Sequence, residues 1–303
     1  MAADMATETA AEMNMPNTPR TGANDSEPEI SAESLVQHAT DNQVCRITLN
    51  RPEALNAITA DQRERIIRLL GDASADPDVR AVVITGTGRG FCAGADLRGG
   101  SGAGERVAGG QVAGERVAGD VARILRLGAQ RLIAAVLDCE KPVLAAVNGT
   151  AAGLGAHLAL ACDLVLATES ARFIEVFVRR GLVPDGGGAY LLPRLIGPQR
   201  AKELMFFGDA LTAADAERLG LVNRVVPDEE LEKTARAWAE RLATGPTRAL
   251  ALTKQLVNAS LDTDRATAFA AEAAAQEINM TSADAREGVR SFVERRSPEY
   301  KGR

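Results

Sequence analysis

The chain has 303 residues, 35 basic against 41 acidic side chains, and a formal net charge of −6. That length suits one large domain or two small ones, with ample chain to bury a core. With 3% aromatic residues, a mildly acidic chain lacks the basic footprint and stacking side chains of a nucleic-acid binder. Its apolar runs, such as Leu132 to Leu137, are far too short to cross a bilayer.

Hydrophobic and charged contents of 46% and 25% match an ordinary globular domain. Cys45, Cys92, Cys139 and Cys162 are scattered among apolar neighbours with no CxxC pair, and read as buried free thiols in a reducing compartment. His38 and His157 are the two histidines of the chain, which argues against a His-built zinc site, and no metal is expected. The first thirty residues lack the apolar segment of a signal peptide, so the expected location is cytoplasmic.

Residues 1–30, rich in Ala, Thr, Glu, Asn and Pro without periodicity, read as a disordered tail. Order is expected to begin near Val44, where Cys45, Ile47 and Leu49 alternate with Arg46 and Thr48 as in a half-buried strand. Thr59 and Gln62 form a capping-box pattern ahead of a helix carrying Ile66, Ile67, Leu69 and Leu70. Ala81 to Ile84 reads as a buried strand. Val143 to Val147 is a second, followed by Asn-Gly and an Ala/Leu-rich helix to Ala161, and Asp163 to Ala167 is another. Strands alternating with helices predict an α/β architecture. After Pro227 only helices are expected, over 228–243, 246–258, 263–279 and 283–296. Their apolar faces are mostly Ala and bury little area alone, which points to packing against a partner subunit. The sequence Ala-Gly-Glu-Arg-Val-Ala-Gly occurs at 103–109 and again at 113–119, and 98–119 reads as a flexible surface loop or a mobile lid beside a site.

Three glycine-rich stretches follow strands: Gly86 to Asp96, Asn148 to Gly155, and Pro184 to Gly188. None ends in the Gly-Lys-Ser/Thr of a P-loop and none spells G-x-G-x-x-G, so nucleotide hydrolysis and dinucleotide binding have no support. Such loops offer bare backbone N–H groups and let another molecule approach closely. Each taken alone is also a plausible tight turn.

Together, Phe91-Cys-Ala-Gly-Ala-Asp-Leu97, Lys141-Pro-Val-Leu-Ala-Ala-Val-Asn-Gly149, Ala161-Cys-Asp163 and Gly220-Leu-Val-Asn-Arg-Val-Val226 resemble the crotonase, or enoyl-CoA hydratase/isomerase, superfamily. Asn50-Arg-Pro-Glu-Ala-Leu-Asn-Ala57 fits as well, and the match runs from about Val44 to the C-terminus. The resemblance implies a spiral core of ββα units over 31–211 and a mainly helical trimerisation region over 212–303, as a trimer or dimer of trimers. It implies an acyl-CoA thioester as substrate and no resident cofactor. By motif position the backbone N–H groups of Ala95 and Leu154 form an oxyanion hole for the thioester oxygen. Removing an α- or γ-proton makes that oxygen an enolate, and each preorganised donor aimed at it is worth about 3–4 kcal/mol. Ala54, Leu55 and the run Ala93, Ala95, Asp96, Leu97 match segments that line the adenine and pantetheine of CoA.

The hydratases of this superfamily use two glutamates, and here His157 and Phe177 stand in those places. Phe cannot transfer a proton. His157 lies three residues beyond Leu154 on the same helix, so it reads either as a proton-handling residue or as a packed, hydrogen-bonded core histidine. Asp185 matches the working aspartate of several isomerases and an aryl-CoA dehalogenase of the superfamily, although Pro-Asp-Gly is also a turn signal. Hydration needs two placed acid/base groups, whereas a 1,3-proton shift needs one base, so a single carboxylate favours isomerisation. Phe173 to Phe177, Leu191-Leu-Pro-Arg194 and Glu287 to Pro298 are most similar to the 1,2-epoxyphenylacetyl-CoA isomerase branch. The rival expectations are a hydratase with His157 replacing one glutamate and a catalytically silent acyl-CoA-binding protein.

Overall fold

The computed structural model describes residues 32–97 and 118–303. The first described elements are a short helix α1 (Ala32–Leu35) and the strand β1 (Val36–Asp41), which pairs antiparallel with β2 (Val44–Leu49). Order therefore starts earlier than the expected Val44. Only Val36 of β1 is buried and Gln37 to Asp41 are all exposed, so no alternation marks it. The hairpin turns on Asn42-Gln43, both left-handed at φ 49° and 65°. An Asn-Gly pair advertises such a turn; Asn-Gln does not.

From β2 onward the expected elements are in place. Cys45, Ile47 and Leu49 are the buried positions of β2. The helix α2 (Ala60–Ala75) starts on the capping box, with Thr59 Oγ1 accepting from Gln62 N–H at 3.3 Å and Gln62 Oε1 accepting from Thr59 N–H at 3.0 Å. Two of the orphan donors at a helix start are satisfied in this way.

The chain then repeats one move. It lays a strand in a main sheet, a short strand in a second sheet, and a helix. The first pass is β3 (Ala81–Gly86), β4 (Gly90–Cys92), α3 (Asp120–Leu127) and α4 (Ala129–Leu137). The second is β5 (Val143–Val147), β6 (Thr150–Ala152) and α5 (Leu154–Leu160), and the third is β7 (Leu164–Thr168), β8 (Arg172–Ile174) and α6 (Gly188–Phe207). After β9 (Ala210–Thr212) and α7 (Ala213–Arg218), β10 (Arg224–Val226) returns to the main sheet. The sheet orders are β1-β2-β3-β5-β7-β10 and β4-β6-β8-β9, parallel except for the outer pairs β1·β2 and β8·β9. This is the expected ββα spiral.

Every residue of β5 is buried, because helices cover both faces of the main sheet. One face packs Val82, Ile84, Val143, Ala145 and Val147 into the large core with α2, α4 and α5. The other face presents Val83, Leu144, Ala146 and Leu166 to Leu231, Ala235 and Ala239 of α8 (Leu231–Ala243), spaced four apart on one helical stripe.

The helices α9 (Thr247–Ser260), α10 (Arg265–Met280) and α11 (Ala283–Glu294) follow the expected spans closely. Within α6, Gly197 takes φ 77° between Pro193 and Pro198 and breaks the helix in two. None of α10 is buried within the chain, and Phe292 and Val293 of α11 are 85% and 75% exposed. The C-terminal residues are tied back to the core. Asp284 accepts from the N–H groups of Lys301 and Gly302, each at 2.7 Å, and buried Arg80 donates to Thr247 Oγ1 and the Tyr300 carbonyl. The strand β9 runs across the expected 211/212 boundary, and β10 and α8 rejoin the main sheet. The residues from Ser31 onward are accordingly one unit. The expected 1–30 tail and nearly all of the 98–119 repeat fall outside the described residues. All four cysteines are free and buried, as expected, and burial pushes the Cys92 thiol up to about 12. Among the described residues no helix is long and apolar enough to cross a membrane.

Candidate active site

The site grows from the step between the two sheets. Asn56, fully buried at φ 57°, donates from Nδ2 to the carbonyls of Thr87 and Gly90 and accepts the N–H of Arg51 on Oδ1. This locks Asn50 to Ala57 against the end of β3. The following Ile58 forms a parallel bridge with Ala95: Ile58 N–H donates to the Gly94 carbonyl at 2.8 Å, and the Ile58 carbonyl accepts from Asp96 N–H at 2.9 Å. In a parallel bridge the flanking residues take both bonds, so the N–H of Ala95 itself points away from Ile58.

Leu154 is the first residue of α5, where a helix leaves its N–H groups without intrahelical partners. The two segments lie close: a Cβ on Gly94 would stand 3.6 Å from the Leu154 nitrogen and 2.9 Å from the Ala152 carbonyl, and Gly94 also holds φ 105°. Only glycine meets both demands.

A cleft of about 830 Å³, measured out to its open mouth, brings Ala95, Leu154 and Asp185 together. Ala93, Gly94 and Leu97 line it from the β4 side, Ile124, Leu125 and Ala129 from α3 and α4, and Val176 and Phe177 from beyond β8. The wall is predominantly apolar, and Asp185 is its one carboxylate among the described residues. Burial raises the Asp185 carboxyl above the usual carboxylate range; the charge of His157 opposes that rise and the charge of Glu175 adds to it. Arg63 and Arg180 supply the positive charges of the wall.

Other expected residues stand elsewhere. Ala54 and Leu55 do not line the cleft, and lie in and just after a 3-10 turn, Pro52–Ala54, with Leu55 at φ 49°. The Asp96 side chain is buried and ion-paired with Arg51 rather than turned into the cleft. His157 does not reach the wall either. It is completely buried behind it, stacked on Phe177 with centroids 5.5 Å apart, and its Nε2 lies 3.1 Å from both carboxylate oxygens of Glu175.

Glu175 is not among the residues singled out from the sequence. A signal was present, since it is the lone charge in Phe173-Ile-Glu-Val-Phe177, and a carboxylate in an apolar run that packs inward must find a partner.

The enoyl-CoA hydratase/isomerase family model matches residues 39–303. A Rhodobacter capsulatus protein named "Probable enoyl-CoA hydratase" is 42% identical over 257 residues, covering 85% of this chain and 94% of its own length. The 1,2-epoxyphenylacetyl-CoA isomerase of Escherichia coli is 38% identical over 271 residues, covering 89% of this chain and 99% of its own. The crystal structure of an enoyl-CoA hydratase/isomerase from Cupriavidus metallidurans CH34 superposes with a TM-score of 0.80 at 36% identity, covering 88% of this chain and 96% of that one.

Proposed function

This chain belongs to the enoyl-CoA hydratase/isomerase family, and within it we propose an isomerase that shifts a proton, and with it a double bond, along an acyl-CoA thioester. The observation that carries this reading is that Asp185 is the one carboxylate in the cleft wall among the described residues. The thioester oxygen is held by the N–H groups of Ala95 and Leu154. The Asp185 carboxylate removes the α-proton of a 3-enoyl thioester, and the developing dienolate oxygen is stabilised by the two donors, each worth about 3–4 kcal/mol. The same carboxyl then delivers the proton to the γ-carbon, leaving the conjugated 2-enoyl thioester. One proton moves and none is consumed. The apolar walls exclude water and keep the carboxyl basic enough for the task.

Hydration is the second reading, supported by the name of the Rhodobacter relative and by the presence of a second carboxylate, Glu175. That carboxylate is buried and turned to His157, which leaves water without a base of its own. Supplying a 2-enoyl thioester at high enzyme concentration separates the two: loss of the conjugated absorbance supports hydration, and its persistence, together with conversion of the 3-enoyl isomer, supports isomerisation.

The isomerase is further proposed to work as a trimer or a dimer of trimers. The apolar side chains left uncovered on α10 and α11, among them Phe269, Ile278 and Phe292, support a subunit contact there. Sedimentation at micromolar concentration as a monomer would contradict it.

A further inference from the structure

Among the described residues one buried side-chain nitrogen or oxygen has no hydrogen-bond partner, and it is Nδ1 of His157. Buried polar atoms are nearly always paired, so the orphan needs a reason. The rest of the ring is committed: Nε2 to both oxygens of Glu175, one face to Phe177, and no atom to solvent. Nε2 is taken up by Glu175, which leaves Nδ1 as the ring nitrogen open to a further partner.

The segment that carries Asp185 wraps around this ring. A Cβ on Gly186 would stand 3.7 Å from Nδ1, and one on Gly188 would stand 2.2 Å from Nε2. Asp185 is also close enough to feel His157 and Glu175 electrostatically.

We propose that the Glu175–His157 pair is a positioning device for Asp185, in which Nδ1 accepts a hydrogen bond from the Asp185 carboxyl while that carboxyl holds the proton taken from the substrate. The inference rests on the isomerase reading for the role of Asp185. The carboxylate takes the proton from carbon, the O–H so formed donates to Nδ1, and the same O–H releases its proton to the γ-carbon. The ring ends as it began, and no proton or electron is gained or lost. Glu175 holds the ring directly, and Asp185 sits beside Gly186, whose backbone packs against it. Cys92 of β4 packs against the same helix at Gly155, with its thiol pushed up to about 12 by burial. Arg63 of α2 and Arg180 stand in the cleft wall, and α4 presents the uncharged Ala129 and Ile133 to the Gly186–Gly187 turn.

With only two histidines in the chain, nitrogen NMR of the imidazoles reads the pair directly. Asp185→Asn is expected to move the His157 ring signals and change their pH dependence, while those of exposed His38 stay in place. Unmoved His157 signals overturn the proposal whether or not any thioester is isomerised. In turnover, Glu175→Gln is expected to lower kcat roughly ten- to a hundredfold through misplacement of the base. KM should stay within about twofold, the acid limb of the pH profile should move to lower pH, and Glu175→Asp should recover part of the rate. A loss of folded enzyme with an unchanged pH profile in the remainder marks a merely structural role and also overturns it.

Discussion

Gly188 stands so close to His157 that a Cβ built on it would lie 2.2 Å from the imidazole Nε2. The run of three glycines after Asp185 is explained by this contact together with the left-handed backbone of Gly186 and Gly187, at φ 55° and 83°. The loop closes directly onto a buried ring that cannot retreat, because Glu175 and Phe177 hold it from other sides.

Gly188→Ala should therefore destabilise the fold by about 1–3 kcal/mol, as overpacking does. Gly71 is the matched control. It lies inside α2 with nothing within 4 Å of a built Cβ, and Gly71→Ala should stabilise by about 0.5–1 kcal/mol through helix propensity. Urea unfolding of the two variants should give shifts of opposite sign.

Leu154 occupies the first position of α5, where proline is tolerated because its missing N–H has no intrahelical partner. Leu154→Pro removes one proposed oxyanion donor and should lower kcat about 10²–10³-fold. Leu154→Gly keeps the donor and should retain most of the activity. Equal losses in both variants, measured on folded protein, would show that the side chain matters and the N–H does not.

The pH behaviour of Asp185 follows from the direction of its shift. Burial raises its carboxyl in the folded state above the ordinary value of about 3.9, and a base must be ionised, so turnover should fall as pH drops through that raised value. The folded state binds the proton more tightly than the unfolded one, so this group stabilises the fold at acid pH and that contribution is lost as pH rises through the folded value. Asp185→Asn should consequently melt at a higher temperature than the parent at neutral pH, with the gap closing in acid. A gap that widens on acidification would reverse the assignment of burial as the main cause.

Leu144 is fully buried between Val83, Leu166 and α8. Leu144→Ala should cost about 2–5 kcal/mol by leaving a cavity, read as an equilibrium unfolding shift, and a cost under 1 kcal/mol would mean that α8 collapses onto the sheet.

The elements legible in the sequence were those with one strong period or a clear cap. The alternation in β2, the capping box at Thr59 and the spacing of the late helices all stand where they were expected. The strands β4, β6, β8, β9 and β10 have three residues each, too few to show a period; β4 and β6 fall inside glycine-rich stretches, β8 and β10 touch segments that carry the family resemblance, and β9 has no signal of its own. β1 carries no alternation because it is an exposed edge with a single buried side chain. Within the site, Ala95, Leu154 and Asp185 came from motif position and share one cleft. His157 reads from the sequence as a proton-handling or a packed core residue, and the structure places it behind the wall in the arms of Glu175. That partnership joins α5 to the end of β8 across 18 residues, a tertiary contact with no local pattern to announce it.

The most direct measurement is the rise of conjugated thioester absorbance when the enzyme meets a 3-enoyl-CoA, run beside Asp185→Asn. Loss of a general base should lower turnover about 10²–10⁴-fold, with binding of the acyl-CoA, read by calorimetry, unchanged. A variant that isomerises at near the parent rate would contradict Asp185 as the base and, with it, the single-carboxylate account of this site.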